Sequence, residues 1–292
     1  MFSKVAVIIV NYNGLKDTVA CIESLLSSSC SVEIIVVDNA SMNDEAVELH
    51  KKFPQIHVLR EEENRGFSYG NNVGISYALN MDIEYVLLLN NDTIVDSHMI
   101  EFLLGEAGKD KVLAPYMYYF SAPDLLWFCG GYINKFTGNT QFFKRPKESK
   151  NRIECDFITG CCMLIPKTVF TDVGYLEEKF FMYCEDTELC IRLKKHGYRL
   201  ICVPKAKLWH KIGRSSQRSG SEFSIYYITR NRLCCVKDNK DYFYMTAAAV
   251  SLLSRYVRQW QYFILGKKEW KAFQKGIKDY KKGIYGKSNQ IV

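Results

Sequence analysis

The 292-residue sequence lacks several features that would place it in familiar classes. A helix needs about 20 apolar residues to cross a bilayer, and the apolar segment at 242 to 253 is too short. Met1 to Val10 turns polar at Asn11 without a charged leader, a long apolar run or a small-residue cleavage site. It reads as a first strand rather than a signal peptide, and a cytoplasmic location is expected. The eleven cysteines are odd in number and contain no C-x-x-C pair, and Cys129, Cys155 and Cys202 lie in apolar runs. Reduced, buried thiols are expected rather than a disulfide framework. There is no strong linker, internal repeat or low-complexity stretch, and no convincing nucleophile–base pair such as Ser-His-Asp. Asn64-Arg65-Gly66-Phe67 with Gly70-Asn71-Asn72 and Gly74 is not G-x-G-x-x-G and does not directly follow a clean strand, which excludes a dinucleotide fingerprint.

What is present is a chain that is 48% hydrophobic, enough for one large core with an appendage. The net charge of +7 is uneven. Residues 255 to 292 carry ten Lys or Arg against Glu269 and Asp279, so the basic character belongs to the tail.

Val5 to Val10, Ile34 to Val37 and Tyr85 to Leu89 are continuous apolar runs, as expected of parallel strands covered on both faces. Between them, Leu15, Val19, Ile22, Leu25 and Leu26 have helical spacing, as do Ala46, Leu49 and Phe53 before Pro54. The alternation predicts a doubly wound α/β sheet. After about residue 115 it stops, and the aromatic, glycine-punctuated stretch from Tyr116 to Phe143 suits short antiparallel strands or loops. From about 222 the pattern is helical.

Ligands of open parallel sheets bind at the carboxyl ends of strands. There the sequence places Asn11-Tyr12-Asn13-Gly14, Asp38-Asn39 and Asn90-Asn91-Asp92. Each alone is also an ordinary turn. Their recurrence at three successive strand ends points to one shared crevice.

Asp92 with neighbouring oxygen ligands suits Mg²⁺ or Mn²⁺, which would bridge protein to a diphosphate; equally, Asp92 would serve as a cap for a helix around Asp96 to Leu104. Glu185-Asp186 opens a helical pattern behind Phe180-Phe181-Met182-Tyr183. Partial desolvation there would raise a carboxylate toward general-base range while the helix dipole lowers it, and acids are also simply favourable in a first turn. His210 is either a structural histidine or a ligand completing a metal site. Gly213-Arg214-Ser215-Ser216 could hold phosphate oxygens.

Taken in order, Val-Asn-Tyr-Asn-Gly (10–14), Val-Asp-Asn-Ala-Ser (37–41), Asn-Arg-Gly-Phe (64–67) with Gly70-Asn71-Asn72, Leu-Asn-Asn-Asp-Thr (89–93), Thr-Gly-Cys-Cys-Met-Leu-Ile (159–165), Phe-Met-Tyr-Cys-Glu-Asp (181–186) and His210 resemble the family 2 glycosyltransferases. The subgroup most similar to them is the bacterial rhamnosyltransferase-like enzymes of cell-surface polysaccharide assembly. The resemblance covers about residues 4 to 235. It implies a GT-A fold, a Rossmann-like, mainly parallel central sheet flanked by helices, here with a helical C-terminal extension. The catalytic domain would span 1–220, with a nucleotide-sugar half at about 1–115 and an acceptor half at about 116–220. The basic-aromatic extension would span 221–292.

The resemblance further implies a dTDP- or UDP-linked donor, a divalent metal (Mn²⁺ or Mg²⁺), inversion at the anomeric carbon, and a saccharide or lipid-linked acceptor. Asp38 would bind the base, with Asn11, Tyr12, Asn13, Asn39, Arg65, Gly66, Asn71, Asn90 and Asn91 around the nucleotide sugar. Asp92 and His210 would hold metal, Asp186 would be the base, and Gly160, Glu185, Trp209, Arg214 and Arg230 would lie near acceptor or phosphate. Asn90 stands where the family's D-x-D motif has its first acid, which lowers the charge available to a cation.

Two rivals carry different signatures. A nucleotidyltransferase would show a glycine-rich phosphate loop with Lys or Arg after the first strand, where Asn-Tyr-Asn-Gly stands instead. A basic nucleic-acid-binding protein would leave the acidic clusters unexplained, so no nucleic-acid partner is expected. The tail interleaves Arg255, Arg258, Trp260, Phe263, Lys267, Lys268, Trp270 and Lys271. That mixture suits an anionic membrane surface and peripheral attachment, or a homodimer through helical packing.

Overall fold

A computed structural model describes residues 4–143, 152–211, 222–246, 249–250, 253, 263–264 and 266–288. The first half alternates as the sequence predicts: β1 (Val5–Asn11), α1 (Leu15–Leu26), β2 (Glu33–Asp38), α2 (Glu45–Lys52), β3 (His57–Arg60), α3 (Phe67–Ala78) and β4 (Tyr85–Asn90). Val5 to Ile9 are almost wholly buried because helices cover both faces of the central strand, which is why no polar residue interrupts the run. On α1, Cys21, Ile22 and Leu25 form the buried stripe.

The second half contains β5 (Thr93–Val95), α4 (Met99–Glu106), β6 (Lys111–Tyr119), β7 (Ala122–Phe128), β8 (Gly131–Ile133), β9 (Thr140–Phe142), β10 (Ile153–Cys155), β11 (Cys162–Pro166), the single turn α5 (Val169–Asp172), a 3₁₀ turn at Glu178–Phe180, α6 (Glu185–Lys195) and β12 (Arg199–His210). β6 and β7 form an antiparallel pair, as do β8 and β9. The main sheet runs β10-β12-β6-β11-β4-β1-β2-β3. Six of these eight strands share one direction, with β11 and β10 reversed.

Two pairings build the site. β11 inserts antiparallel beside β4, Cys162 against Leu89, and carries Thr159 to Cys161 to the carboxyl end of β4. β5 pairs with the end of β12, Thr93 against His210, and delivers His210 to Asp92. The sequence pattern allowed Asp92 to cap a helix; instead Thr93–Val95 is a strand, and α4 begins only at Met99, where Asp96 Oδ1 accepts from the His98 N–H.

All eleven cysteines are reduced thiols, and ten are buried. The extension supplies α7 (Glu222–Asp238) and α8 (Lys267–Lys282). A second apolar cluster joins Phe223, Tyr226, Tyr227, Ala272, Phe273 and Ile277 from these helices to Phe181. Among the described residues no helix is long and apolar enough to cross a membrane.

Candidate active site

The ends of β1 and β2 meet in a closed hydrogen-bond network. Asn11 Nδ2 donates to Asp38 Oδ1 (2.9 Å), Ser41 Oγ (3.2 Å) and Glu45 Oε2 (2.8 Å), while its Oδ1 accepts from the Thr18 hydroxyl (2.7 Å). Asn91 Nδ2 donates to Thr18 Oγ1 (3.0 Å), tying the end of β4 into the same cluster. Asn13, at a positive φ of 51°, accepts from the Met42 N–H through Oδ1. Asp38 is fully covered and its Oδ2 has no partner, a vacancy that a buried carboxylate oxygen rarely keeps. Tyr12, 44% exposed, is the open surface of this corner.

On the next turn, Asn39 Nδ2 bridges Asn64 Oδ1 (3.1 Å) and Gly66 O (3.0 Å). Arg65 stacks over Tyr69 at 3.7 Å and pairs with Glu178 at 3.5 Å. Gly66 has φ of 101°, and a Cβ there would stand 2.2 Å from Phe181 O, so two independent constraints require glycine. Asn71 is buried on α3 and donates to Phe67 O. Neighbouring Asn72 reaches Leu176 O and Glu178 Oε1.

His210 Nε2 is 3.0 Å from Asp92 Oδ1, both side chains nearly buried. Burial is the largest influence on His210 and would lower its pKa. The neighbouring Cys161 sulfur and the Asp92 carboxylate together outweigh it and raise the imidazole to about 10. Cys161 is itself pushed up by burial. The Lys211 N–H donates to Asp92 O, and Lys211 Nζ pairs with Asp17. The Trp127 ring lies 4.6 Å from the imidazole.

Once the imidazole gives up its proton, the Asp92–His210 donor set fits a small divalent cation. Ligands at about 2.1 Å on adjacent corners of an octahedron stand about 3.0 Å apart, and such ions complete their shell with water and phosphate rather than a full protein cage. Among the described residues no cluster of three or more acidic, histidine or cysteine ligands exists.

The second acidic cluster starts α6. Asp186 is partly exposed, its Oδ2 accepts from Gly160 N–H (3.2 Å), and its Oδ1 accepts from Thr187 N–H (2.7 Å). Glu185 is buried deeper, with Oε2 unpartnered. Burial, and then the adjacent Asp186, push Glu185 up to about 8; burial also raises Asp186, but its backbone donors oppose the shift. The two environments differ: burial holds the Glu185 carboxyl up at about 8, while Asp186 has backbone donors that favour its ionised form.

The segment 159–161 connects both clusters. Gly160 N–H holds Asp186, and Cys161 O accepts from the Asn90 N–H (2.8 Å) while its sulfur adjoins His210. Thus Asp186 and the Asp92–His210 pair flank one three-residue turn.

Trp209 and Arg230, both expected on the acceptor side, make other contacts. Trp209 alternates with His210 along β12, so its indole takes the opposite face and donates to Pro123 O (3.2 Å). Arg230 is wholly buried on α7, where carbonyls and a tyrosine hydroxyl surround its guanidinium, so it does not reach a phosphate. Arg214 and the rest of its loop lie outside the described residues. Sequence reasoning missed Thr18, Glu45, Trp127 and Cys161. Two of them carried a signal: Trp127 through the aromatic richness of 116 to 143, and Cys161 through the Thr-Gly-Cys-Cys motif at 159–162.

Comparison with known proteins identifies relatives of the chain. The profile described as Glycosyl transferase family 2 matches residues 6–174. The low-salt glycan biosynthesis hexosyltransferase Agl10 of Haloferax volcanii is 30% identical over 247 residues, covering 80% of this chain and 75% of its own. The dTDP-rhamnosyl transferase RfbF of Shigella flexneri is 25% identical over 252 residues, covering 82% of each. Among solved structures, GalNAc-T7 with UDP, GalNAc and Mn²⁺ superposes with a TM-score of 0.67 at 16% identity. That match covers 83% of this chain, which spans half the length of that structure, and it speaks for the fold alone. The profile matches more than half of the chain and Agl10 aligns across most of it, so the protein belongs to glycosyl transferase family 2.

Proposed function

We propose that the chain transfers a hexose such as rhamnose, with inversion, from a dTDP- or UDP-linked donor to a hydroxyl of a saccharide or lipid-linked saccharide. The observation that carries this is the placement of Asp186 and the Asp92–His210 pair on either side of the 159–161 turn. A base and a diphosphate anchor so arranged suit a single in-line displacement.

Asp186 takes the acceptor proton as the acceptor oxygen attacks the anomeric carbon, and its Gly160 and Thr187 donors keep the carboxylate aimed. Glu185, retaining its proton, spares the site a second negative charge beside the base. Asp92 and His210 would hold Mn²⁺ or Mg²⁺, which would supply Lewis-acid stabilisation of the departing nucleoside diphosphate. The names of RfbF and Agl10 support a dTDP-rhamnose or related hexose donor; the GalNAc-T7 structure, alike in fold, holds UDP and Mn²⁺. Asp38 Oδ2 would accept from the base N–H; since Asp38 is fully covered, that contact requires local opening.

A thermal-shift panel of nucleotide-diphosphate sugars with and without Mn²⁺ tests the donor assignment, because a ligand of the native state raises stability with the logarithm of its concentration over Kd. One dTDP- or UDP-sugar should raise Tm, more so with Mn²⁺, and turnover should release nucleoside diphosphate. Release of inorganic diphosphate instead would identify a nucleotidyltransferase.

The extension is assigned a peripheral contact with an anionic membrane. The apolar side of α8, Ala272, Phe273 and Ile277, is covered by α7, so it is not available for insertion or for a dimer seam. Lys267, Lys268, Lys271, Lys278, Lys281 and Lys282 remain exposed and would act electrostatically.

A further inference from the structure

The loop that precedes Asp186 is strained. Phe181 (φ 62°, ψ −55°) centres a tight turn in which Met182 N–H donates to Phe180 O (2.7 Å), the γ-turn of the rarer, unfavourable hand. Tyr183 and Cys184 follow at positive φ of 68° and 74°. Three of the four positions from 181 to 184, none of them glycine, hold conformations that an L side chain seldom adopts, and such backbone persists only where its surroundings over-determine it. Met182 alone interrupts the positive φ values.

The surroundings are on α7 and the tail. Five successive carbonyls, from Lys179 to Tyr183, are each held from outside the segment. Gly286 N–H donates to Lys179 O (2.8 Å), and Phe67 N–H donates to Phe181 O (2.7 Å). Asn231 Nδ2 donates to Phe180 O (2.8 Å), Met182 O (2.8 Å) and Tyr183 O (2.9 Å). Arg230 fixes that amide by donating from Nε to Asn231 Oδ1 (2.9 Å), which obliges the NH₂ end to face the loop. Its remaining nitrogens reach Phe180 O (3.2 Å) and Gly286 O (2.8 Å). Both side chains are wholly buried.

From this geometry we infer that Asn231 and Arg230 are positioning residues: they lock the 180–184 backbone in its strained form and thereby aim Asp186 at the acceptor oxygen. The extension is therefore part of the catalytic apparatus, although neither side chain touches substrate. The inference rests on Asp186 acting as the base.

The test compares wild type with Asn231→Asp, Arg230→Lys and Asp186→Asn in the full-length protein, reading kcat, donor Kd by thermal shift, and the pH dependence of kcat. Asn231→Asp keeps the shape but turns an acceptor toward three carbonyls, and a displacement of about 1 Å in a reacting group costs about a hundredfold in rate. Its kcat should fall about a hundredfold, that of Arg230→Lys about tenfold, with donor Kd within threefold of wild type and the acidic limb of the pH profile, which reports the base, displaced. If Asn231→Asp does not fold, Arg230→Lys carries the comparison. Variants with lowered Tm but wild-type kcat per folded molecule and an unmoved pH profile would overturn the positioning role while leaving the base assignment standing. An Asp186→Asn enzyme with wild-type turnover would instead overturn the base assignment, and this inference with it.

Discussion

His210 Nε2 lies 3.0 Å from Asp92 Oδ1 across 118 residues of sequence, brought there by the pairing of β5 with the end of β12. Both side chains are nearly buried there. Asp92→Ala or His210→Ala should abolish the Mn²⁺-dependent part of the donor thermal shift. A Lewis acid is worth several kcal/mol at a developing oxyanion, so kcat should drop at least about a hundredfold. Turnover unaffected by EDTA in a fully active Asp92→Ala variant would remove the metal role.

Gly66→Ala should be costly although it adds one methyl. Its Cβ would meet Phe181 O at 2.2 Å, and φ of 101° is unfavourable for alanine. A destabilisation of about 1 to 3 kcal/mol is expected, with lowered turnover because the displaced carbonyl belongs to the loop before Asp186. Urea unfolding and kcat on the same preparation check both halves; an unaltered midpoint would contradict the close approach.

Stability should fall as pH rises. Glu185 moves from an ordinary 4.5 to about 8 on folding, so the native state holds a proton that the unfolded chain releases between those values. The contribution is fully present below about pH 4.5 and is lost as pH climbs through about 8, with a slope of up to about 1.4 kcal/mol per pH unit. Glu185→Gln, which cannot ionise, should flatten the decline of Tm between pH 5 and 8.5. Parallel Tm curves for the two proteins would refute the raised pKa.

The exposed lysines of α8 should draw the protein to anionic vesicles. Replacing Lys267, Lys268, Lys271 and Lys278 by Gln should cut flotation with phosphatidylserine liposomes, each charge being worth about 1 kcal/mol, without lowering Tm. Equal recovery of both proteins would end the membrane assignment.

Periodicity alone located β1, α1, β2, α2 and β4, because strands buried on both faces have no room for polar residues and the helices between them need one apolar stripe. The polar signatures at those strand ends could be read for the same reason. The reversed β11 between β4 and β6 could not, since an apolar pentapeptide carries no mark of its direction. Nor could the task of Asn231, whose partners are backbone carbonyls and impose no residue type on the loop. Arg230 was expected, from its resemblance to a recurring stretch of the subgroup, either near diphosphate or as a helix anchor; what decides its place is the set of carbonyls around it. Asp92 and His210 were paired only through resemblance to a family, and the β5–β12 register supplies the physical reason.

The central claim is that Asp186 removes the acceptor proton while the donor site stands apart from it. Its most direct test is Asp186→Asn, assayed by nucleoside diphosphate release with acceptor present and by donor thermal shift on the same sample. Release should fall about 10² to 10⁴-fold while the donor-induced shift matches wild type. Near-normal release, or a donor shift lost together with activity, would contradict the assignment.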